Sequence, residues 1–270
     1  MTNNSQTGYA AVNSLRLYYE IHGSGQPLVL LHGAFGSTDM FSDIVPQLAQ
    51  DRQVIVVDQQ GHGRTTDSDR PLWYESLGDV ETHIYTVSSR DGTHIAFDQV
   101  GNGPPLILVG GAFQHRALDS ETARLSELLA PHFTVYHYDR RGRGESGDTQ
   151  PYAVEREIDD IAALINAVGG AAFVYGMSSG AVLALHAAAQ LGPARITRLV
   201  LYEPPFNTDA DADKQEFAAY KAQIDVLLQE NRRGDAVAFF LSNWMPPDML
   251  TAIRQSPEWP LMEAVAPTLA

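Results

Sequence analysis

At 270 residues, 44% of them hydrophobic, the chain can bury a sizeable core as one large domain or two small ones. With 18 basic against 33 acidic side chains the net charge is −15, which argues against nucleic acid or an anionic membrane as a partner. No cysteine is present, so disulfides, thiolate catalysis and cysteine-based zinc sites are excluded.

Met1 to Gly8 is polar and lacks the apolar core of a signal peptide. No apolar run approaches the ~20 residues of a membrane span. A cytoplasmic location, with no membrane partner, is the expectation. Leu15 to Ile21 reads as an amphipathic hairpin strand ending at Gly23-Ser24-Gly25. Leu28 to Leu31 is a continuous apolar strand, of the kind that suits a parallel sheet covered on both faces. His32-Gly33-Ala34-Phe35 follows, then a predicted helix over Phe41–Gln50, then an apolar strand ending at Asp58.

The same pattern returns further on. Gly23, Gly25, Pro27, Leu28, Gly33, Ala34 and Phe35 align with Gly101, Gly103, Pro105, Leu106, Gly111, Ala112 and Phe113, at a constant offset of 78. Leu106 to Val109 is the second apolar strand and Ser120–Ala130 the second helix. Asp58-Gln-Gln-Gly61-His-Gly63-Arg-Thr65 then matches Asp139-Arg-Arg-Gly142-Arg-Gly144-Glu-Ser146 at an offset of 81, so the intervening helices differ by three residues. Alternating strands and helices imply an α/β fold with right-handed crossovers.

The second copy continues. Pro151–Ala167 carries Val154, Ile158, Ile161, Ala162 and Ile165 at helical spacing. Ala172 to Tyr175 is a short buried strand, and Gly176 and Gly180 bracket Ser178. An Ala/Leu-rich helix follows with no breaker before Gly192-Pro193. Gly-x-Ser-x-Gly between strand and helix is a nucleophile elbow. The motif alone is weak in a chain with 22 glycines; its place in the strand–turn–helix context is what gives it weight. Ser178 is the predicted nucleophile, and the Ser179 N–H an expected oxyanion donor. Arg198 to Tyr202 is the next strand and ends at Glu203-Pro204-Pro205.

Both copies resemble the N-terminal part of an α/β-hydrolase. The His32-Gly33-Ala34-Phe35 loop is similar to that family's oxyanion loop, and the two Asp-x-x-Gly-x-Gly-x-Ser/Thr turns are similar to the turn after its fourth strand. The resemblance implies a mostly parallel sheet with helices on both faces and a partial helical cap. It divides the chain into a partial repeat over 1–80, an elbow-bearing core over 81–206 and a cap segment over 207–270. Asp69 to Thr82 is the junction between the copies. Asn207–Lys214 reads as a polar loop. Gln215–Asn231, Asp235–Trp244 and Pro247–Gln255 read as short cap helices. Trp244, Met245, Met249, Trp259 and Met262 would either line an apolar substrate cleft or pack the cap against the core.

The family's triad runs Ser, acid, His in chain order. Only His186 follows Ser178, and it sits among alanines and leucines in the elbow helix, where a packing role is expected. The resemblance therefore does not extend to the segment that carries the base. Glu203 is the candidate acid, with capping of the following loop as the alternative. The first copy's strands could fill the sheet edge beyond the elbow strand and bring Asp58 and His62 toward Ser178. The reading adopted is that His32 holds its loop and His62 is an exposed turn residue. His132 and His137, read as opposite faces of one strand, do not make a metal site. No metal and no cofactor are expected.

The functional expectation is a serine hydrolase of esterase type acting on a small, apolar, ester-like substrate. Ser178 and Glu203 are catalytic, and Ser179 with Ala112 or Phe113 forms the oxyanion hole. The alternatives are an impaired chimera acting at most as a small-molecule binding module, and related chemistry such as cofactor-free perhydrolysis or lactone opening on the same residues. Gly142 to Gly147 has the wrong glycine spacing for a dinucleotide site.

Overall fold

The computed structural model describes residues 5–12, 15–33, 36–67, 84–206 and 212–269. Ala34 and Phe35 of the first loop, the junction over 69–82 and residues 207–211 of the polar loop lie outside them. The period-2 segments form hairpins: β1 (Ser5–Val12) with β2 (Leu15–Gly23), and β5 (Tyr85–Ser88) with β6 (His94–Val100). The apolar runs form β3 (Gln26–Leu31), β4 (Arg52–Val57), β7 (Pro105–Val109), β8 (Thr134–Tyr138), β9 (Ala172–Met177) and β10 (Ile196–Tyr202). Among the described residues these ten strands make one sheet in the order β1-β2-β4-β3-β10-β9-β7-β8-β6-β5. The six central strands are mutually parallel and the outer pairs antiparallel.

The first segment thus extends the sheet on the far side of β10. Leu28 to Leu31 lie in register with Leu199 to Tyr202. Leu28, Leu30, Val54 and Val56 join the main core, while Val29, Leu31, Ile55 and Val57 are half-buried. In β7 and β8 the burial is nearly continuous, as a strand covered on both faces requires.

Helix α2 (Ser120–Leu129) packs Leu125 and Leu129 on Leu106, Leu108 and Val135. The opposite face, with Ile107, Val109 and Val174, is covered by α3 (Val154–Ala167) and α4 (Ser179–Leu191). The helix expected over Phe41–Gln50 is broken. A 3₁₀ turn over Thr38–Phe41 precedes a four-residue α1 (Val45–Leu48). Pro46 has no N–H to donate back, so it fits only the first turn of a helix, which restarts at Val45. The helix expected from Pro151 begins at Val154, and His132 lies in the turn before β8 rather than in the strand.

The cap comprises α5 (Ala212–Gln229), α6 (Arg233–Leu241), α7 (Pro247–Ile253) and α8 (Trp259–Val265). Val237, Ala238, Leu241, Trp259 and Ala266 form its core, with Met245 and Met262 packed against them. Of the predicted cleft residues, Trp244 and Met249 are instead 73% and 55% exposed. Among the described residues no helix is long and apolar enough to cross a membrane.

Candidate active site

Ser178 sits where β9 turns into α4, at φ 52 and ψ −123. This is left-handed backbone that a serine adopts only when its surroundings force it. They do so here. A Cβ on Gly176 would lie 2.5 Å from the Gly180 carbonyl oxygen and 2.7 Å from the Ala181 Cα, and one on Gly180 would overlap the carbonyl oxygens of Val109 and Gly110. Strand, helix and the end of β7 are therefore packed backbone to backbone. The Ser178 N–H is held by the Tyr202 carbonyl at 2.9 Å, tying the turn to β10. As the first residue of α4, Ser179 has no preceding turn for its N–H to bind.

The loop after β7 lies against this turn. A Cβ on Gly111 would be 3.3 Å from that of Ser178. The Gly111 N–H donates to Gln114 Oε1 at 2.5 Å, and Gln114 Nε2 meets Met177 Sδ at 3.2 Å. Ala112 and Phe113 are half-buried, and the Phe113 ring stacks edge-on against Phe240 of α6 at 5.2 Å. Two arginines of the turn after β8 reach under the loop. Arg140 Nη1 donates to the Gly110 carbonyl (3.2 Å) and to Ser179 Oγ (3.3 Å), and Arg143 Nη1 donates to the Gly111 carbonyl at 2.8 Å. Sequence reasoning missed both, because a carbonyl partner leaves no residue pattern to find.

Glu203 ends β10 with φ 49, one strand from the elbow, and its carboxylate packs against Gly33. His32 is 1% exposed. Its Nε2 accepts from the Gln59 N–H at 3.0 Å, so the ring proton is on Nδ1, which donates to the Gly33 carbonyl at 2.8 Å. That ring holds its loop, as expected. His62 is half-buried rather than exposed, with its ring 5.1 Å from that of His32. Its Nδ1 donates to the Gln60 carbonyl at 2.8 Å.

The two Asp-initiated turns have matching hydrogen bonds. Asp58 Oδ1 accepts from the Thr38 N–H and Oδ2 from the Arg64 N–H, at 2.7 and 2.8 Å. Asp139 does the same with the Arg116 and Glu145 amides, at 2.7 and 2.9 Å. Thr65 and Ser146 each donate a hydroxyl to the aspartate's own carbonyl at 2.6 Å. Gly63 and Gly144 share φ 52, and a Cβ on either would strike the aspartate. These carboxylates hold the turns rather than meeting Ser178.

Electrostatics separate the buried groups. Burial, then the neighbouring Arg140 charge, pushes the Arg143 guanidinium down to about 9. Burial likewise lowers His115 and His137, against the opposing pull of Asp119 and Asp139. Arg140 binds Glu157 through Nε (2.7 Å) and Nη2 (2.6 Å), and Arg141 binds Asp160 and Asp91. Among the described residues no group of three or more His, Asp or Glu is placed to hold a metal ion.

Similarity to known proteins follows the same lines. A family model described as "alpha/beta hydrolase fold" matches residues 26–91, and one described as "Alpha/beta hydrolase family" matches residues 106–270, more than half of the chain. A pimeloyl-[acyl-carrier protein] methyl ester esterase of Xanthomonas campestris pv. campestris (strain B100) is 36% identical over 115 residues, 42% of this chain and 43% of its own. A soluble epoxide hydrolase of Corynebacterium sp. (strain C12) is 35% identical over 92 residues, 34% of this chain and 30% of its own. The chain thus spans less than half the length of these curated relatives. Among solved structures, an alpha/beta hydrolase from Sphaerobacter thermophilus DSM 20745 is 55% identical, covers 68% of this chain and 70% of its own, and superposes with a TM-score of 0.60. A hydrolase from Pseudomonas aeruginosa PA01 is 29% identical over 68% of this chain and 66% of its own, with a TM-score of 0.53. The mostly parallel sheet, the glycine-framed serine turn and the family match over residues 106–270 agree, and the chain belongs to the alpha/beta hydrolase family.

Proposed function

We propose that the protein is a serine hydrolase of esterase type, acting through Ser178 on small apolar esters. The observation that carries this is the Ser178 backbone, held left-handed between two glycines with the Gly111 loop packed against it. Strain of this kind persists where it aims a side chain. The esterase relative supports the choice of an ester bond.

In the proposed reaction, Ser178 Oγ attacks the ester carbonyl carbon as its proton passes to a histidine base. The carbonyl π pair becomes an oxyanion held by the N–H groups of Ser179 and of Ala112 or Phe113. Collapse expels the alcohol, which takes the proton from the histidine, and water then hydrolyses the acyl-enzyme by the same steps. Glu203, one strand away, is the orienting acid. We assign the base to His62. It lies on the turn after β4, three strands or about 14 Å across the sheet from β9, and that turn is five residues long where it reaches His62. Its Nδ1 is bonded to the Gln60 carbonyl, which fixes the ring on that turn.

Reaction with a fluorophosphonate, read by mass spectrometry beside Ser178→Ala and His62→Ala, tests the proposal. Labelling lost in Ser178→Ala and slowed about 100-fold or more in His62→Ala is the expected result. No labelling of the folded wild type would overturn it and leave a small-molecule binding module.

A further inference from the structure

We propose that Arg143 is a positioning residue of the oxyanion hole, setting the Ala112 N–H by gripping the other end of the same peptide unit. The proposal rests on the serine-hydrolase reading and gives that site a residue from the Asp139 turn, at a position which the motif leaves open. Arg143 is 3% exposed, yet among the described residues no carboxylate accepts a hydrogen bond from it. Its partners among them are the Gly111 carbonyl at 2.8 Å and Thr268 Oγ1 at 3.3 Å. A guanidinium is buried in this way only where its position has a use that offsets the desolvation.

The use follows from peptide geometry. The unit joining Gly111 to Ala112 is planar and trans, so its C=O and N–H point in opposite directions. With the carbonyl drawn toward Arg143, the Ala112 N–H is turned to the other side of the loop. A cation on the carbonyl also polarises the peptide and strengthens that N–H as a donor. The preceding unit is fixed from both ends: Arg140 holds the Gly110 carbonyl and Gln114 Oε1 takes the Gly111 N–H. Gly111 therefore cannot be the donor, and Ala112 is the next amide along.

Charge adds to orientation. Arg140 and Arg143 lie beneath the loop with Glu157 as the carboxylate bonded to Arg140. Two guanidiniums against one carboxylate leave a net positive charge behind a site where the reaction develops a negative one. The planar fork of arginine reaches the Gly111 carbonyl and Thr268 together, which a lysine ammonium does not. Through Thr268 the last 3₁₀ turn of the described chain, Ala266–Leu269, is tied to the same loop.

The test compares wild type, Arg143→Gln and Arg143→Lys, with Ser178→Ala as control. Two probes are read: the rate of fluorophosphonate labelling at Ser178, and the affinity of an arylboronic acid, whose adduct with Oγ places an oxygen in the oxyanion hole. Arg143→Gln is expected to slow labelling and weaken boronate binding by about 10- to 100-fold, with KM for p-nitrophenyl acetate within about 3-fold. Arg143→Lys, which keeps the charge, is expected to recover part of both. Variants that fold, label at the wild-type rate and bind boronate equally well would overturn the proposal. If neither Arg143 variant folds, Thr268→Val decides. At that half-buried position it removes the Nε partner together with the hydroxyl's own local bond to the Val265 carbonyl; a labelling rate at or below about one third of wild type supports the proposal and an unchanged rate overturns it. Labelling that survives in Ser178→Ala would instead refute the serine-hydrolase reading.

Discussion

Glu157→Gln isolates the electrostatic core beneath the Gly110-Gly111 loop. Glu157 Oε2 receives both Nε and Nη2 of Arg140, and both side chains are buried. The amide keeps the shape and one acceptor oxygen but removes the charge. Arg140 and Arg143 are then left as two buried cations with no bonded carboxylate. Removing one partner of a buried pair costs about 3–5 kcal/mol, because the surviving charge cannot regain its hydration. Against a total stability of about 5–15 kcal/mol this is a large fraction. At about 2–4 °C per kcal/mol for a chain of this size class, the melting temperature should fall by roughly 6–20 °C. Urea unfolding followed by circular dichroism measures the change, with an unaltered m-value expected. Asp91→Asn is the control. It also removes a carboxylate from a buried arginine, Arg141, but the Asp91 side chain is part-exposed and Arg141 retains Asp160. Its cost should stay below the roughly 3 kcal/mol expected for Glu157→Gln. A Glu157→Gln loss no larger than that of Asp91→Asn would refute the argument, since it would mean that the Arg140 charge is already solvated.

Gly180→Ala would drive a methyl into the Val109 and Gly110 carbonyls, and only backbone movement can relieve that. It should cost about 1–3 kcal/mol in urea and slow Ser178 labelling, whereas an unchanged midpoint and rate would show that the turn has slack. Acid should destabilise the fold through His115 and His137, both held neutral below the ordinary imidazole value by burial. The unfolded chain gains protons as pH falls through about 6.5 while the folded chain does not. The stabilisation is therefore complete above that pH and lost below it, at up to about 1.4 kcal/mol per pH unit for each histidine. Urea midpoints at pH 7.5 and 5.5 should differ less in His137→Gln than in wild type; equal differences would remove His137 from this account.

The elbow could be read from residues alone because the pattern that signals it is local. An apolar run makes the strand, two glycines allow the close backbone crossing, and an Ala/Leu run makes the helix. The Asp-initiated turns were equally readable, since each aspartate binds the amide six residues on and each glycine answers a positive φ. The helix expected over Phe41–Gln50 failed for a local reason too: Pro46 outweighed the propensity of its neighbours. Other features were set by tertiary structure. The sequence left open which strand would lie beside β10. Parallel pairing of β3 with β10 is made by backbone hydrogen bonds, and an apolar strand such as Leu28 to Leu31 fits any edge of matching pattern. The sequence assigns His32 the part of holding its loop, but it is the Gln59 amide, brought close by the fold, that sets its tautomer. Arg143 reads in the sequence as one more charged residue of a turn. Only the packing of that turn beneath the Gly110-Gly111 loop gives it a carbonyl to hold, because backbone partners are assigned by proximity and not by residue type.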